Sequence, residues 1–306
     1  MAGRILDGKF IRDQITAECV PRVAAVIAAS GRPPGLAVVL VGDDPASHVY
    51  VRSKTKTAGE LGIYTETITP SATISTGELL DLVRSLNSRS EIDAILVQLP
   101  LPAHIDSQTV LRAVAPEKDV DGFHPFNVGL LALGRPGPRP CTPAGVIEML
   151  KRYEIPISGQ NVVVVGRSDI VGRPLAMLLV HENATVTICH SRTRDLAAVC
   201  RTADILVAAI GRPAMLTADY IRPDAVVVDV GVNSVTDRAQ AEKIFDSSRL
   251  PAFDKRGNLL VGDVHPGDMA RVASAYTPVP GGVGPLTIAM LMRNTIDAAE
   301  RRFALI

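Results

Sequence analysis

The amino-acid sequence predicts an α/β protein of two domains built on open parallel sheets. At 306 residues, the chain exceeds the usual size of a single domain. Short runs rich in Val, Ile and Leu recur between helical stretches, the alternation expected of parallel strands joined by crossover helices. The segment "GRPGPRPCTP" (134–143) is the stretch richest in Pro and Gly and marks a boundary between the two halves.

The strands are expected at "GLAVVLVG" (35–42), "IDAILVQLP" (92–100), "NVVVVG" (161–166), "TVTICH" (185–190), "DILVAAIG" (204–211) and "AVVVDVG" (225–231). Nearly unbroken apolar runs of this length suit strands covered on both faces. Before "PASHVYVRSKTK", Asp44 can cap a helix whose first position is Pro45. Helical patterns follow at "TGELLDLVRSLN" (76–87) and "GVIEMLKRY" (145–153). At the C-terminus, Ile288, Leu291, Met292, Ile296 and Ala299 fall near helical period. Spacing leaves open whether that last helix completes the second domain or returns to the first.

Composition narrows the function classes. Lys plus Arg and Asp plus Glu both number 32, so the formal net charge is zero. Without a basic arm or charge block, nucleic acid and anionic membrane surfaces are not expected partners. No apolar run reaches the roughly 20 residues that cross a bilayer, and "MAGRILDGKFIRDQ" lacks an apolar signal core. Cys19, Cys141, Cys189 and Cys200 are scattered and read as free thiols of a cytoplasmic protein. Neither the histidines nor the cysteines show metal-ligand spacing, so no metal is expected.

Strand, loop and helix follow one another at "NVVVVGRSDIVGRPLAMLL", the arrangement that offers backbone N–H groups and a helix N-terminus to a pyrophosphate. Its spacing, Gly166-x-Ser168-x-x-x-Gly172, departs from the usual G-x-G-x-x-G. NAD sites commonly place an acid at the end of the next strand. Here Ser191-Arg192-Thr193-Arg194 stands there, with no acid before Asp195. Hydroxyls and arginines, Arg167 included, favour a 2′-phosphate and hence NADP.

Tyr50 and Lys54 share one helix face, a turn apart. Their spacing matches the Tyr-x-x-x-Lys pair of short-chain dehydrogenases, but in those enzymes the nucleotide loop comes first. Here the pair precedes the loop by more than a hundred residues, which excludes a direct match. Gln98 lies near the carboxyl end of a buried strand, where open α/β sheets place ligands. "PEKDVDGFHP" carries Asp119 and Asp121, on one side if extended. "TPVPGGVGPLT" (277–287) is either a linker or a loop that lets backbone approach a flat ligand.

Together "ASHVYVRSK", "ILVQLPLP", "PEKDVDGFHPFNVG", "PCTPAGV", "VVGRSDIVGRP", "VVVDVGVN" and "TPVPGGVGPLT", in this order and spacing, resemble the bifunctional methylenetetrahydrofolate dehydrogenase/methenyltetrahydrofolate cyclohydrolase family over essentially the whole chain. Two apolar departures are Leu286, where Met is common, and Val232, where Ile is common. The resemblance implies an N-terminal α/β catalytic domain (1–140) and a C-terminal Rossmann-like NADP-binding domain (141–284), with a folate cleft between them. It also implies a homodimer, and a final helix (285–306) packed back on the first domain.

Carried over by motif position, Lys54 is the catalytic lysine, Tyr50 stacks on the folate, Gln98 assists the lysine and Asp121 holds the pterin end. Pro278, Gly281 and Gly282 line the folate site. Gly166, Arg167 and Ser168 bind cofactor phosphates, with Ser191 near the 2′-phosphate and Val232 near the nicotinamide. The activity implied is oxidation of 5,10-methylenetetrahydrofolate followed by hydrolysis to 10-formyltetrahydrofolate, within one-carbon metabolism that serves purine, methionine and histidine synthesis. A dehydrogenase-only relative, or a non-catalytic sensor of folate or dinucleotide, is the alternative. A lysine acts as a base only where burial and a neighbouring cation disfavour its ammonium form. An uncharged amide such as Gln98 is the partner that does not oppose this.

Overall fold

Valine after valine can lie inside a sheet only if both faces are covered, and the computed structural model, which describes residues 3–306, shows how this is done. Six parallel strands lie in the order Arg4–Ile5, Ala275–Tyr276, Val226–Asp229, Ile205–Ala208, Asn161–Val165 and Thr185–Cys189. Alternate side chains serve opposite cores. Val163, Val165, Leu206, Ala208 and Val227 join one cluster, whereas Val162, Val164, Ile205, Val207 and Val228 join the other. A short antiparallel pair, Asn233–Val235 with Leu259–Val261, is attached beyond the fifth of these strands in sequence.

A second, three-stranded parallel sheet has Gly35–Val39 between Tyr64–Ile68 and Ala94–Val97. The helix Thr76–Ser88 covers it with Leu79, Val83 and Leu86. That helix begins at a capping box in which Ser75 and Glu78 satisfy each other's backbone N–H groups. Asp44 caps the helix Pro45–Glu60 by accepting from the Ser47 N–H at 2.8 Å, with Pro45 in the first turn as expected.

By internal contacts the chain forms two compact units: one runs to Ile11 and resumes over Thr142–Thr287, the other joins Arg12–Cys141 to Ile288–Ile306. This alters the expected 1–140 division at its beginning, of which residues 1 and 2 lie outside the described residues. The start of the chain belongs with the six-stranded sheet, because Arg4 and Ile5 pair in parallel with Ala275 and Tyr276. A strand of two exposed residues has no hydrophobic pattern by which to announce itself. The long helix Gly8–Ser30 had no reading in the sequence either; it is apolar on several sides and carries Pro21 inside it.

The last helix, Gly284–Arg302, starts in the first unit and runs mostly in the second. There Arg302 reaches Asp93 at 3.2 Å, and Arg22 pairs with Asp297 and Glu300. Asp93 is a fully buried carboxylate that also takes two hydrogen bonds from Arg32, each 2.7 Å, and one from the Gly35 N–H at 2.9 Å. Among the described residues, no helix is long and apolar enough to cross a membrane. Asp93→Ala removes the acceptor shared by two arginines and a backbone N–H, and is expected to cost about 3 kcal/mol; urea denaturation of the variant against the parent chain checks this.

Candidate functional site

In the three-stranded unit, Lys54 reaches inward from the helix Pro45–Glu60 and is only 8% exposed. Its Nζ donates to Gln98 Oε1 at 2.9 Å. Gln98 follows directly on the strand Ala94–Val97, and its own amide nitrogen donates to the Leu99 carbonyl at 2.6 Å. That second bond sets the amide's orientation and leaves its oxygen for the lysine. Tyr50, one turn earlier on the same helix, is 45% exposed and presents its ring outward.

Asp119 and Asp121 do different work. Asp119 is buried and accepts from the N–H groups of Gly122 (3.1 Å) and His124 (2.8 Å) and from Asn127 Nδ2 (2.9 Å). It therefore shapes the loop that carries Asp121. The Asp121 carboxyl is enclosed by protein, although the residue as a whole keeps some exposed area. Burial raises its pKa to about 6; the charge of Lys54 pulls it back down and Asp119 adds to the rise. Among the described residues its one hydrogen-bond contact is the Cys141 thiol at 4.0 Å. The Cys141 thiol itself is pushed well up by burial and by the Asp121 charge.

Residues given no role by the sequence motifs complete this group. Asn294, on the last helix, donates to the carbonyls of Val120 (2.7 Å) and Arg139 (2.9 Å), bracing the Asp121 loop from the far end of the chain. Its available signal was a lone amide between Met292 and Ile296 on a buried helix face. Asp119 and Asn127 are similar supports. Their bonds depend on the loop's path, which no spacing rule specifies.

In the six-stranded unit, Gly166 ends the strand Asn161–Val165 with φ +131°, and a Cβ there would overlap the Ala209 carbonyl. Glycine is thus required where two loops meet at the carboxyl ends of neighbouring strands. Ser168 Oγ accepts from the N–H groups of Val171 (3.2 Å) and Gly172 (3.4 Å), organising the entry to the helix Gly172–His181. Arg167, Ser191 and Arg192 are exposed beside this edge. Asp195, the first acid after the strand Thr185–Cys189, spends its carboxylate on the Ala198 N–H at 3.2 Å, capping the helix Leu196–Cys200. No acid therefore stands among residues 190–194 to repel a 2′-phosphate. The residues present fit NADP.

The 277–283 loop is anchored within this same unit. Thr277 Oγ1 accepts from the Asp229 N–H at 2.8 Å, and the Gly282 N–H donates to the Pro278 carbonyl at 2.7 Å. The Gly281 carbonyl receives the Gly8 N–H at 2.9 Å, and a Cβ on Gly8 would collide with Gly282. Val232 is exposed just beyond the strand Val226–Asp229. The predicted residues thus fall into two sets. Lys54, Tyr50, Gln98 and Asp121 occupy one unit; Gly166, Arg167, Ser168, Ser191, Val232, Pro278, Gly281 and Gly282 occupy the other.

A parallel sheet with a glycine turn at its carboxyl edge, plus a unit holding a buried lysine, defines a two-unit dinucleotide-dependent enzyme fold. The chain belongs to the tetrahydrofolate dehydrogenase/cyclohydrolase family, whose catalytic domain matches residues 6–121 and whose NAD(P)-binding domain matches residues 140–303. The bifunctional protein FolD of Solibacter usitatus is 64% identical over 98% of both chains. Among solved structures, the bifunctional FolD dehydrogenase/cyclohydrolase of Campylobacter jejuni is 41% identical, with a TM-score of 0.89 over 98% of this chain and 100% of that one. The Trypanosoma brucei enzyme, complexed with NADP and an inhibitor, is 38% identical, with a TM-score of 0.89 over 99% of each chain.

The raised pKa of Asp121 has a consequence for stability. Its folded-state value of about 6 lies above the ordinary 3.8, so the ionised form opposes folding. The cost is absent below about pH 4, grows between about pH 4 and pH 6, and levels off above that at on the order of 3 kcal/mol. Asp121→Asn is expected to melt higher than the parent chain at pH 8, with the difference closing toward pH 4; thermal melts across that range check it.

Proposed function

We propose that Lys54, oriented by Gln98 beside Asp121, moves the protons of the hydrolytic step. The chain oxidises 5,10-methylenetetrahydrofolate to 5,10-methenyltetrahydrofolate with NADP and hydrolyses that product to 10-formyltetrahydrofolate. The observation that carries the role of Lys54 is its burial with a 2.9 Å bond to an uncharged amide.

NADP, when bound, accepts the hydride given up by the folate's one-carbon bridge. The oxidised folate is an amidinium cation stabilised by its two flanking nitrogens, so this step asks the protein for alignment more than for an acid. Hydrolysis asks for more. Water adds to the cationic carbon, and a base must take its proton; a nitrogen then leaves, and an acid must return one. Lys54 serves both turns. A carboxylate in the place of Gln98 would hold the lysine as ammonium, whereas the amide orients it without that penalty.

Asp121 holds the pterin end with a carboxyl able to accept or, when protonated, to donate. Tyr50 offers its exposed ring as a stacking face, and Pro278, Gly281 and Gly282 line the folate site from backbone. Gly166, Arg167 and Ser168 receive the cofactor's phosphates, Ser191 the 2′-phosphate, and Val232 the nicotinamide end. Four free, buried cysteines suit the reducing cytoplasm. Supply of one-carbon units to purine, methionine and histidine synthesis follows from the product.

Lys54→Ala is expected to abolish hydrolysis of the methenyl substrate while leaving NADP affinity near that of the parent. Purified variant that still hydrolyses at the parental rate overturns the role given to Lys54. A homodimer is part of the same reading. The strand Thr185–Cys189 is an open sheet edge with Ile188 41% exposed, and unpaired edges of this kind invite covering. Light scattering at micromolar concentration is expected to give twice the chain mass; the mass of a single chain would refute it.

A further inference from the structure

Beneath the cofactor loops lie two buried carboxylates that pair with no cation among the described residues. Asp263 is 0% exposed. Its Oδ2 accepts from the N–H groups of Ile210 (2.6 Å) and Gly211 (3.0 Å), and its Oδ1 from the Arg212 N–H (2.8 Å) and Asn233 Nδ2 (2.9 Å). Four donors from two separate loops converge on one carboxylate. Asp229 is buried directly alongside and accepts from the N–H groups of Gly231 (3.0 Å), Asp263 (2.9 Å) and Val264 (2.8 Å). Gly231 and Gly262 leave the room: a Cβ on the first would overlap the Asp263 carboxylate, and on the second the Asp229 carboxylate.

The loops so gathered are not arbitrary. Residues 209–212 follow the strand Ile205–Ala208, and residues 230–233 follow its neighbour Val226–Asp229. Both therefore leave the carboxyl edge of the parallel sheet, where dinucleotides lie in open α/β folds. The 209–212 loop is also the one against which Gly166 packs. Residue 232 stands between Gly231, whose N–H is held by Asp229, and Asn233, whose amide is held by Asp263.

We propose that Asp263 is a positioning residue for the oxidation step, holding the 210–212 and 231–233 loops at the separation in which they receive the cofactor. The proposal rests on the assignment of NADP to this sheet edge. It assigns Asp263 no contact with the cofactor; its effect passes through the backbone of Ile210–Arg212 and through Asn233. The requirement is for an acceptor with both oxygens available, since every group aimed at it is a donor. An asparagine of the same shape would turn an NH2 toward two of those donors.

Asp263→Asn is expected to raise KM for NADP about tenfold or more, small displacements at a hydride-transfer site being costly. Hydrolysis of the methenyl substrate, which uses no cofactor, is expected to keep its kcat, because Lys54, Gln98 and Asp121 lie in the other unit. A purely structural role would reduce the folded fraction, lowering both kcat values together with KM for NADP unchanged; that result overturns the proposal. If Asp263→Asn does not fold, Asn233→Ala removes a single donor. A severalfold rise in KM for NADP then supports the proposal, and an unchanged KM overturns it. Calorimetry of the parent chain with NADP separates the two readings. Failure of the parent to bind overturns the cofactor placement, and the proposal with it, whereas normal binding with an unchanged variant KM overturns the proposal alone.

Discussion

A carboxylate is tolerated inside a protein only where enough donors surround it, and this chain turns that requirement into a way of fixing its loops. Asp93 gathers Arg32, Arg302 and the Gly35 N–H, tying the last helix to the three-stranded sheet. Asp119 gathers two N–H groups and Asn127, and so sets the loop over residues 119–127. Asp229 and Asp263 gather seven donors between them at the carboxyl edge of the larger sheet. Removing any of these acids leaves donors unpaired in segments that have little other reason to adopt their path.

Asp121 is the exception. It is enclosed like the others but lacks their donors; burial lifts its pKa to about 6, as it lifts that of Asp229 to about 7. The other buried acids take their hydrogen bonds from N–H groups, an amide or arginines; Asp121, proposed to meet substrate, has only the Cys141 thiol among the described residues. Lys54 presents the complementary case, a buried lysine whose hydrogen-bond partner, Gln98, is neutral. Groups held this way keep their chemistry available, because nothing in the resting protein has already consumed it.

Much of the architecture was legible because parallel strands buried on both faces write themselves as continuous Val/Ile/Leu runs. All six runs became strands, trimmed at their ends. Asp44 and Pro45 began a helix where their chemistry said they would. The strand Arg4–Ile5 was not legible: it has two exposed residues, and its pairing partner lies some 270 residues away in sequence. The helix Gly8–Ser30 hid for a different reason, since apolar residues on several faces blur the helical period. Asn294 and Asp119 were missed as supports because each acts on a loop remote from it or folded back on it, and such contacts have no spacing.

Sequence alone was sufficient for the α/β class and for the family, because the groups that mark the family recur in short motifs whose order is specific. Folding supplied what those motifs do not contain. It brought Lys54 Nζ to Gln98 across 44 residues, drew Cys141 and Asn294 toward the Asp121 loop, and assigned the first strand to the sheet of the opposite half. The reason is physical: a motif records the groups the chemistry needs, whereas their burial and hydrogen-bond partners depend on which distant segments share a core.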